Sequence, residues 1–214
     1  MQTLALIDYG SGNLPSAEKA LRRAASDLNT PMEIITTDDP DVIARADRLV
    51  LPGVGAFAAC KTALEARPGV LDAMTHAAMS RGVPFLGVCV GMQLMATRGL
   101  EFGLTSGLGW IGGDVHALRP GQPGLKIPHM GWNSLEYASP SPLFEGLGPE
   151  VHMYFTHSFA IHADDDRNVI AWCEHGARFV AAVAKGNAAG VQFHPEKSQG
   201  AGARLLSNFL KWRP

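Results

Sequence analysis

The chain has 214 residues, of which 46% are apolar and 18% charged, and its formal net charge is −2 at pH 7. These values are typical of a globular protein, and we expect one domain over residues 1–214. No basic tract indicates a nucleic-acid partner, and no apolar run reaches the roughly 20 residues that span a membrane. Three cysteines without a CxxC spacing, and an N-terminus without signal-peptide features, favour a cytoplasmic location.

The first half of the chain alternates predicted strands and helices. Apolar runs typical of buried parallel strands occur at 4–7, 32–36, 48–51 and 83–86. Helical patterns occur at 15–28, 56–66 and 69–80, and a short helical turn starts at Asp38. Pro15 stands where a dinucleotide loop starting at Gly10 would need its third glycine, so we predict no such cofactor. The alternation predicts an α/β fold with a doubly wound sheet.

The second half differs in pattern. Residues 103–124 are glycine-rich and lack helical periodicity. Strands are predicted at 125–137, 151–157, 168–173, 179–184 and 189–193, and an amphipathic helix at 201–212. We therefore expect a mixed, mostly parallel sheet flanked by helices, with antiparallel strands added to the parallel core.

Cys89 lies between Gly87 and Gly91, after a predicted strand and before a run of helix formers at 92–97. This is the pattern of a nucleophile elbow, in which a sharp turn exposes the nucleophile and glycines keep side chains away. The positive end of the helix would favour a thiolate. On this stretch alone, a buried structural cysteine explains the pattern equally well.

His194 and Glu196 form a second candidate group, joined through Pro195. A thiol nucleophile needs an imidazole to move its proton, and the imidazole needs a carboxylate to fix its tautomer. A solvated turn would explain the segment if the chain had no elbow. The two stretches together predict a triad of Cys89, His194 and Glu196.

The elbow and the segment Val-Gln-Phe-His-Pro-Glu resemble the class I (triad) glutamine amidotransferases. Four further segments resemble, within that family, the glutaminase subunits of imidazole glycerol phosphate synthases. They are Asp-Tyr-Gly-Ser-Gly-Asn at 8–13, Pro-Gly-Val-Gly-Ala-Phe at 52–57, Pro-His-Met-Gly-Trp-Asn at 128–133 and Tyr-Phe-Thr-His-Ser at 154–158. The matching segments run from residue 8 to residue 198. The resemblance implies hydrolysis of L-glutamine to glutamate and ammonia in histidine biosynthesis.

The resemblance also implies a mechanism. Cys89 would attack the glutamine side-chain amide to give a thioester, His194 would transfer protons, and Glu196 would hold the imidazole. The elbow geometry adds an oxyanion donor at the backbone N–H of Val90, where leucine is usual in the family. A second donor is expected from the glycine-rich turn Gly53, Val54 and Gly55. In the family this loop can change conformation when the partner and its ligand bind.

Other residues match family positions near the substrate or the partner. Gln93 lies one turn after Cys89 and could bind the α-amino and carboxylate groups of glutamine. His157 has no carboxylate two residues on, so it ranks below His194 as the base. Cys60 and Cys173 are interpreted as structural, and no His or Cys pair has metal-ligand spacing. The substrate-binding strand end is matched by Thr156, His157, Ser158 and Phe159, and the partner interface by Asn13, Trp132, Tyr154 and Lys197.

The implied partner is a separate (β/α)8-barrel cyclase subunit, because 214 residues leave no room for a second, acceptor domain. It would use the ammonia to convert a formimino-AICAR ribonucleotide into imidazole glycerol phosphate and AICAR. Three alternatives stay open: the glutaminase subunit of another synthase, a stand-alone cysteine hydrolase of glutamyl substrates, and a binding subunit without catalysis. The first would bind a different synthase, the second would be fully active alone, and the third would release no glutamate.

Overall fold

The computed structural model describes residues 1–28, 31–121 and 124–214. Its helices are α1 (Leu14–Ser26), α2 (Pro40–Arg45), α3 (Phe57–Glu65), α4 (Val70–Thr75), α5 (Val90–Gln93) and α6 (Gln199–Lys211). Its strands are β1 (Gln2–Ile7), β2 (Met32–Thr37), β3 (Arg48–Gly53), β4 (Phe85–Cys89), β5 (Arg98–Gly99), β6 (Thr105–Ser106), β7 (Gly113–Ala117), β8 (His129–Ser134), β9 (Glu136–Tyr137), β10 (His152–His157), β11 (Phe159–Ala163), β12 (Val169–Glu174), β13 (Arg178–Lys185) and β14 (Ala188–Val191).

The main sheet has the strand order β2-β1-β3-β4-β14-β13-β12-β9. Its first five strands run parallel, and β13, β12 and β9 follow β14 with each strand antiparallel to its neighbour. Two smaller sheets, β10-β8 and β11-β7-β5-β6, lie beyond it. Strands β1, β3 and β4 are almost completely buried, as expected for parallel strands covered on both faces.

The helices cover both faces of the parallel strands. Helix α1 packs against α6, whereas α2 packs against α4. The right-handed crossover rule requires this division, because α1 leads outward from β1 to β2 while α2 leads back from β2 to β3. Asn13 begins α1 by accepting a hydrogen bond from the Ser16 backbone N–H at 3.4 Å, and Pro15 occupies the first turn. Among the described residues, no helix combines the length and apolar character needed to cross a membrane.

The predicted fold class, a mixed and mostly parallel sheet flanked by helices, is confirmed. The helix expected over 92–97 is wrong in extent, because α5 ends at Gln93. The carbonyls of Leu94, Met95 and Ala96 are occupied by backbone N–H groups of residues 108–111, which return across this segment. A tertiary contact therefore replaces the helical bonds that local propensity favours.

Two strand predictions also need correction, and four strands were not predicted. The strand expected at 125–137 is split into β8 and β9, because β8 pairs with β10 while β9 joins β12 in the main sheet. The strand expected at 189–193 ends at Val191, after which His194 donates its backbone N–H to Tyr154. Strand β11 was not predicted, and three short strands (β5, β6 and β7) lie between residues 98 and 117. Residues 122 and 123 of the glycine-rich stretch lie outside the described residues.

Candidate active site

The predicted functional residues meet where parallel strands end at the carboxyl edge of the main sheet. In the register of β3 and β4, Gly53 lies opposite Cys89, and in that of β14 and β4, Val191 lies opposite Val88. The segment that follows β14 therefore passes beside Cys89. This edge is where ligands bind in open α/β sheets.

Cys89 adopts the strained backbone conformation of a nucleophile elbow. Its φ is 53° and its ψ −111°, in a region that residues with a Cβ rarely occupy. Both glycines are required because other backbone atoms pack closely against them. A Cβ on Gly91 would overlap the Leu51 carbonyl, and a Cβ on Gly87 would lie 2.6 Å from the Gly91 carbonyl. Because α5 has only four residues, the expected helix dipole at the sulfur is that of a single turn.

His194 and Glu196 form a buried hydrogen-bonded pair. His194 Nδ1 lies 2.8 Å from Glu196 Oε1, and the two side chains are 3% and 7% exposed. Because a carboxylate can only accept, the imidazole must carry its proton on Nδ1. Ser198 fixes the turn by donating its hydroxyl to the His194 carbonyl at 2.6 Å and accepting the Tyr154 backbone N–H at 3.0 Å.

The Cys89 sulfur lies close enough to His194 to raise the pKa of the imidazole, although the two side chains do not form an aligned hydrogen bond. Nε2 of His194 is buried and has no hydrogen-bond partner among the described residues. Burial by itself lowers the pKa of the imidazole, but the neighbouring Cys89 sulfur and Glu196 carboxylate outweigh burial and raise the pKa to about 9. A thiol–imidazole contact of this kind often tightens only when substrate binds.

A cavity of about 310 Å³ opens beside Cys89 and His194. The predicted substrate-binding residues Gln93 and 156–159 contribute to its wall. Glu196 and Gly53 do not line this cavity but line a small enclosed space behind His194, together with Asn13. The lining residues of the larger cavity are Val54, Gly55, Cys89, Val90, Gln93, Glu101, Pro128, Thr156, His157, Ser158, Phe159, His194 and Lys197.

The glycine-rich turn after β3 is held by hydrogen bonds to Ser11. The Val54 backbone N–H donates to Ser11 Oγ at 3.3 Å, and Ser11 Oγ donates to the Val54 carbonyl at 2.8 Å. Gly55 has a φ of +103°, which favours glycine. Of the expected second oxyanion donors, Val54 is therefore bonded to Ser11, and Gly53 is packed against the Gly91 backbone.

His157 is fully bonded inside the protein. Its Nδ1 lies 2.9 Å from the Phe159 carbonyl, and its Nε2 lies 3.2 Å from His129 Nδ1. Burial lowers the pKa of His157 to about 3, so the imidazole is neutral at pH 7. With both ring nitrogens occupied, it has neither the carboxylate nor the free nitrogen that a general base needs.

Three of the four residues predicted at a partner interface lie together beside the cavity. The Trp132 and Tyr154 rings meet edge to face at 6.0 Å, and Lys197 Nζ lies 5.7 Å above the Tyr154 ring. Trp132 is 46% exposed. The fourth, Asn13, lies apart at the start of α1, where its side chain caps the helix.

Sequence reasoning missed several residues of the site. Glu101 and Pro128 line the cavity, and Gln192 places its side-chain amide against Cys89. Glu101 lies just before the glycine-rich stretch at 103–124, where no local pattern indicated a site residue. Gln192 was visible as part of the His-Pro-Glu segment, but its role depends on the pairing of β14 with β4.

The profile of the family "Glutamine amidotransferase class-I" matches residues 5–212, and the chain belongs to this family. It is 58% identical over its whole length to imidazole glycerol phosphate synthase subunit HisH of Caulobacter vibrioides, covering 100% of both chains. It is 52% identical to the subunit of the same name from Rhodospirillum rubrum, covering 99% of each.

Solved structures agree in fold. A glutamine amidotransferase structure superposes with a TM-score of 0.70 at 18% identity, covering 97% of each chain. A putative GMP synthase component from Thermoplasma acidophilum superposes with a TM-score of 0.66 at 22% identity, covering 99% of this chain and 93% of the other. At these identities the likeness shows the fold alone.

Proposed function

We propose that the chain is the glutaminase subunit of an imidazole glycerol phosphate synthase in histidine biosynthesis. Residues 1–214 would act as one glutaminase domain that hydrolyses L-glutamine and passes the ammonia to a cyclase subunit. The observation that carries the proposal is the strained Cys89 beside the His194–Glu196 pair, at the wall of a substrate-sized cavity. Relatives named as this subunit over their full length support the choice of synthase.

In the proposed reaction, Cys89 attacks the side-chain amide carbon of glutamine as a thiolate. The raised pKa of His194 keeps the imidazole protonated beside the thiolate at neutral pH, so it can donate that proton to the departing amide nitrogen. The carbon–nitrogen bond breaks, ammonia leaves, and a glutamyl thioester remains. The neutral imidazole then takes a proton from water, which attacks the thioester and releases glutamate and the thiolate. Glu196 holds Nδ1–H throughout.

The negative oxygen of the tetrahedral intermediate needs hydrogen-bond donors. The Val90 backbone N–H, directly after the elbow, is one donor. The Val54 N–H would be a second, but it is bonded to Ser11. Each donor contributes about 3 kcal/mol of transition-state stabilisation, so breaking this bond and turning the loop toward Cys89 would raise the rate about 100-fold. We therefore propose an allosterically gated glutaminase, with low activity until the loop moves.

The cavity also offers groups for the two ends of the glutamine substrate. Glu101 supplies a carboxylate that suits the α-ammonium group, and Lys197 supplies a cation that suits the α-carboxylate. Both side-chain hydrogen bonds of Gln93 among the described residues use Nε2, so Oε1 can accept from the substrate. Backbone groups of residues 156–159 complete the wall.

The proposed partner is a (β/α)8-barrel cyclase subunit that forms a heterodimer with this chain. Three apolar side chains near the cavity are exposed, with Val54 at 43%, Trp132 at 46% and Met130 at 64%. With Tyr154 and Lys197 they form a mixed apolar and cationic surface that the partner would cover. Because this surface lies near the cavity, a cyclase that covers it would receive the ammonia before water protonates it. The three free cysteines suit the reducing cytoplasm.

The experiment is to measure glutamate release by this chain alone, and again with the cyclase and its nucleotide ligand. We expect low activity alone and a large rise in the complex. High activity alone that the cyclase leaves unchanged would contradict the gating and favour a stand-alone hydrolase. Activation by a different synthase, and not by this cyclase, would contradict the assignment to histidine biosynthesis.

A further inference from the structure

Gln192 is a buried polar residue that the proposed mechanism does not use. It follows β14 directly, and the parallel pairing of β14 with β4 brings it beside Cys89. Its side chain is 0% exposed. Its backbone N–H donates to the Ala181 carbonyl at 2.8 Å, which fixes the residue at the sheet edge. A side-chain amide is costly to bury unless its donors and acceptors are used.

Three hydrogen bonds connect the Cys89 sulfur to the substrate-binding strand end. Gln192 Nε2 donates to Cys89 Sγ at 3.6 Å. Gln192 Oε1 accepts from Gln93 Nε2 at 3.0 Å. Gln93 Nε2 also donates to the Phe159 carbonyl at 2.9 Å. One amide therefore contacts both the sulfur and the side chain that faces the substrate.

The direction of this chain is fixed by the Phe159 carbonyl, which can only accept. Gln93 must turn its NH₂ group toward that carbonyl, and the same NH₂ group reaches Gln192. Gln192 must then present its oxygen to Gln93 and its own NH₂ group to Cys89. The same carbonyl also lies 2.9 Å from His157 Nδ1 and accepts a hydrogen bond from it. Either amide turned over would oppose two donors or two acceptors.

We propose that Gln192 is a positioning residue that donates a hydrogen bond to the Cys89 sulfur and orients Gln93 toward the substrate. This inference deepens the proposed function and rests on it. An N–H donor stabilises a thiolate more than a thiol, so Gln192 favours the reactive form of Cys89. Holding the NH₂ group of Gln93 leaves its oxygen to accept from the substrate.

The test replaces Gln192 and leaves the other titratable groups around the sulfur and the cavity unchanged. Gln192→Met removes donor and acceptor at similar volume, whereas Gln192→Glu keeps an acceptor for Gln93 and places a negative charge by the sulfur. Asn208→Leu is the control, because Asn208 is also a buried amide, bonded to two carbonyls away from the site. The unchanged groups are His194, Glu196, Tyr9, Cys60, His157, Glu101 and Lys197.

The readout is the pH dependence of Cys89 alkylation by iodoacetamide, followed on the peptide that contains Cys89. We expect the midpoint of this alkylation profile to rise by about one pH unit in Gln192→Met and by more in Gln192→Glu. It should not rise in Asn208→Leu. In the complex with the cyclase, the KM for glutamine should rise several-fold in Gln192→Met and change little in Gln192→Glu.

A wild-type alkylation midpoint in either folded Gln192 variant would overturn the inference. If one variant does not fold, the other decides, since each removes the donor to the sulfur. The alkylation midpoint does not require turnover. Absence of glutaminase activity in the unmodified complex would therefore contradict the proposed function while leaving this measurement readable.

Discussion

Replacing Glu196 by glutamine tests the buried pair that activates the proposed nucleophile. The substitution keeps the shape of the side chain but removes its charge from a pair joined at 2.8 Å, with side chains only 3% and 7% exposed. A hydrogen bond to a charged group contributes about 1.5–3 kcal/mol, against about 1 kcal/mol between neutral groups. The loss of about 0.5–2 kcal/mol predicts a fall in kcat/KM of about 2- to 30-fold.

Two assays follow the effect of Glu196→Gln. Glutamate release in the complex with the cyclase gives kcat/KM, and an NMR titration of the His194 ring gives its pKa. The pKa should fall by about one unit from its value of about 9, because the carboxylate no longer stabilises the imidazolium. Glu136→Gln is the control, since Glu136 pairs with Arg178 at 2.7 Å but is 69% exposed. Unchanged values of the His194 pKa and of kcat/KM in Glu196→Gln would show that the Glu196 carboxylate does not stabilise the imidazolium.

Three further predictions concern the elbow, the buried histidines and the exposed surface. Gly91→Ala forces a Cβ into a β3 carbonyl and should lower the free energy of unfolding in urea by about 2–4 kcal/mol. Burial lowers the pKa of His129 to about 4, so the unfolded chain binds a proton below pH 6.5 that the folded chain does not. Stability should fall as pH drops from 6.5 toward 4, and His129→Asn should make that fall shallower. Trp132→Ala should weaken cyclase binding about tenfold or more by calorimetry.

Each of these predictions has a control or a contradicting outcome. Gly148→Ala, with open space around the added Cβ, should leave stability nearly unchanged. If the free energy of unfolding of His129→Asn falls as steeply below pH 6.5 as that of the unmodified chain, His129 does not titrate as described. Met79→Ala removes an apolar side chain of similar exposure, 44%, away from the cavity, and should leave cyclase binding intact. Equal losses of cyclase affinity in Trp132→Ala and Met79→Ala would contradict the placement of Trp132 at the cyclase interface.

Local patterns could predict the parallel core because its strands are continuous apolar runs separated by helical ones. The turn from β4 to α5 could also be predicted, because close backbone contacts within and next to the elbow require Gly87 and Gly91. The residue at which α5 ends could not be predicted from the local sequence. It depends on residues 108–111 occupying the carbonyls of residues 94–96, a contact that no local propensity encodes.

The candidate site divides in the same way. Cys89, His194 and Glu196 were predicted from two short segments, and the sheet register brings those segments together. Glu101 and Gln192 were missed because their roles arise from pairing between distant strands and loops. For Gln93 the residue could be predicted but not its direction, since the Phe159 carbonyl and Gln192 fix which amide atoms face the substrate.

Measuring Cys89→Ala in the complex with the cyclase shows directly whether Cys89 is the nucleophile of a glutaminase. We expect no glutamate release from glutamine, an unchanged melting temperature and cyclase affinity, and intact synthesis when ammonia is supplied instead. Cys173→Ala, which removes another buried free thiol, should retain glutaminase activity. A Cys89→Ala complex that still hydrolyses glutamine would show that Cys89 is not the nucleophile.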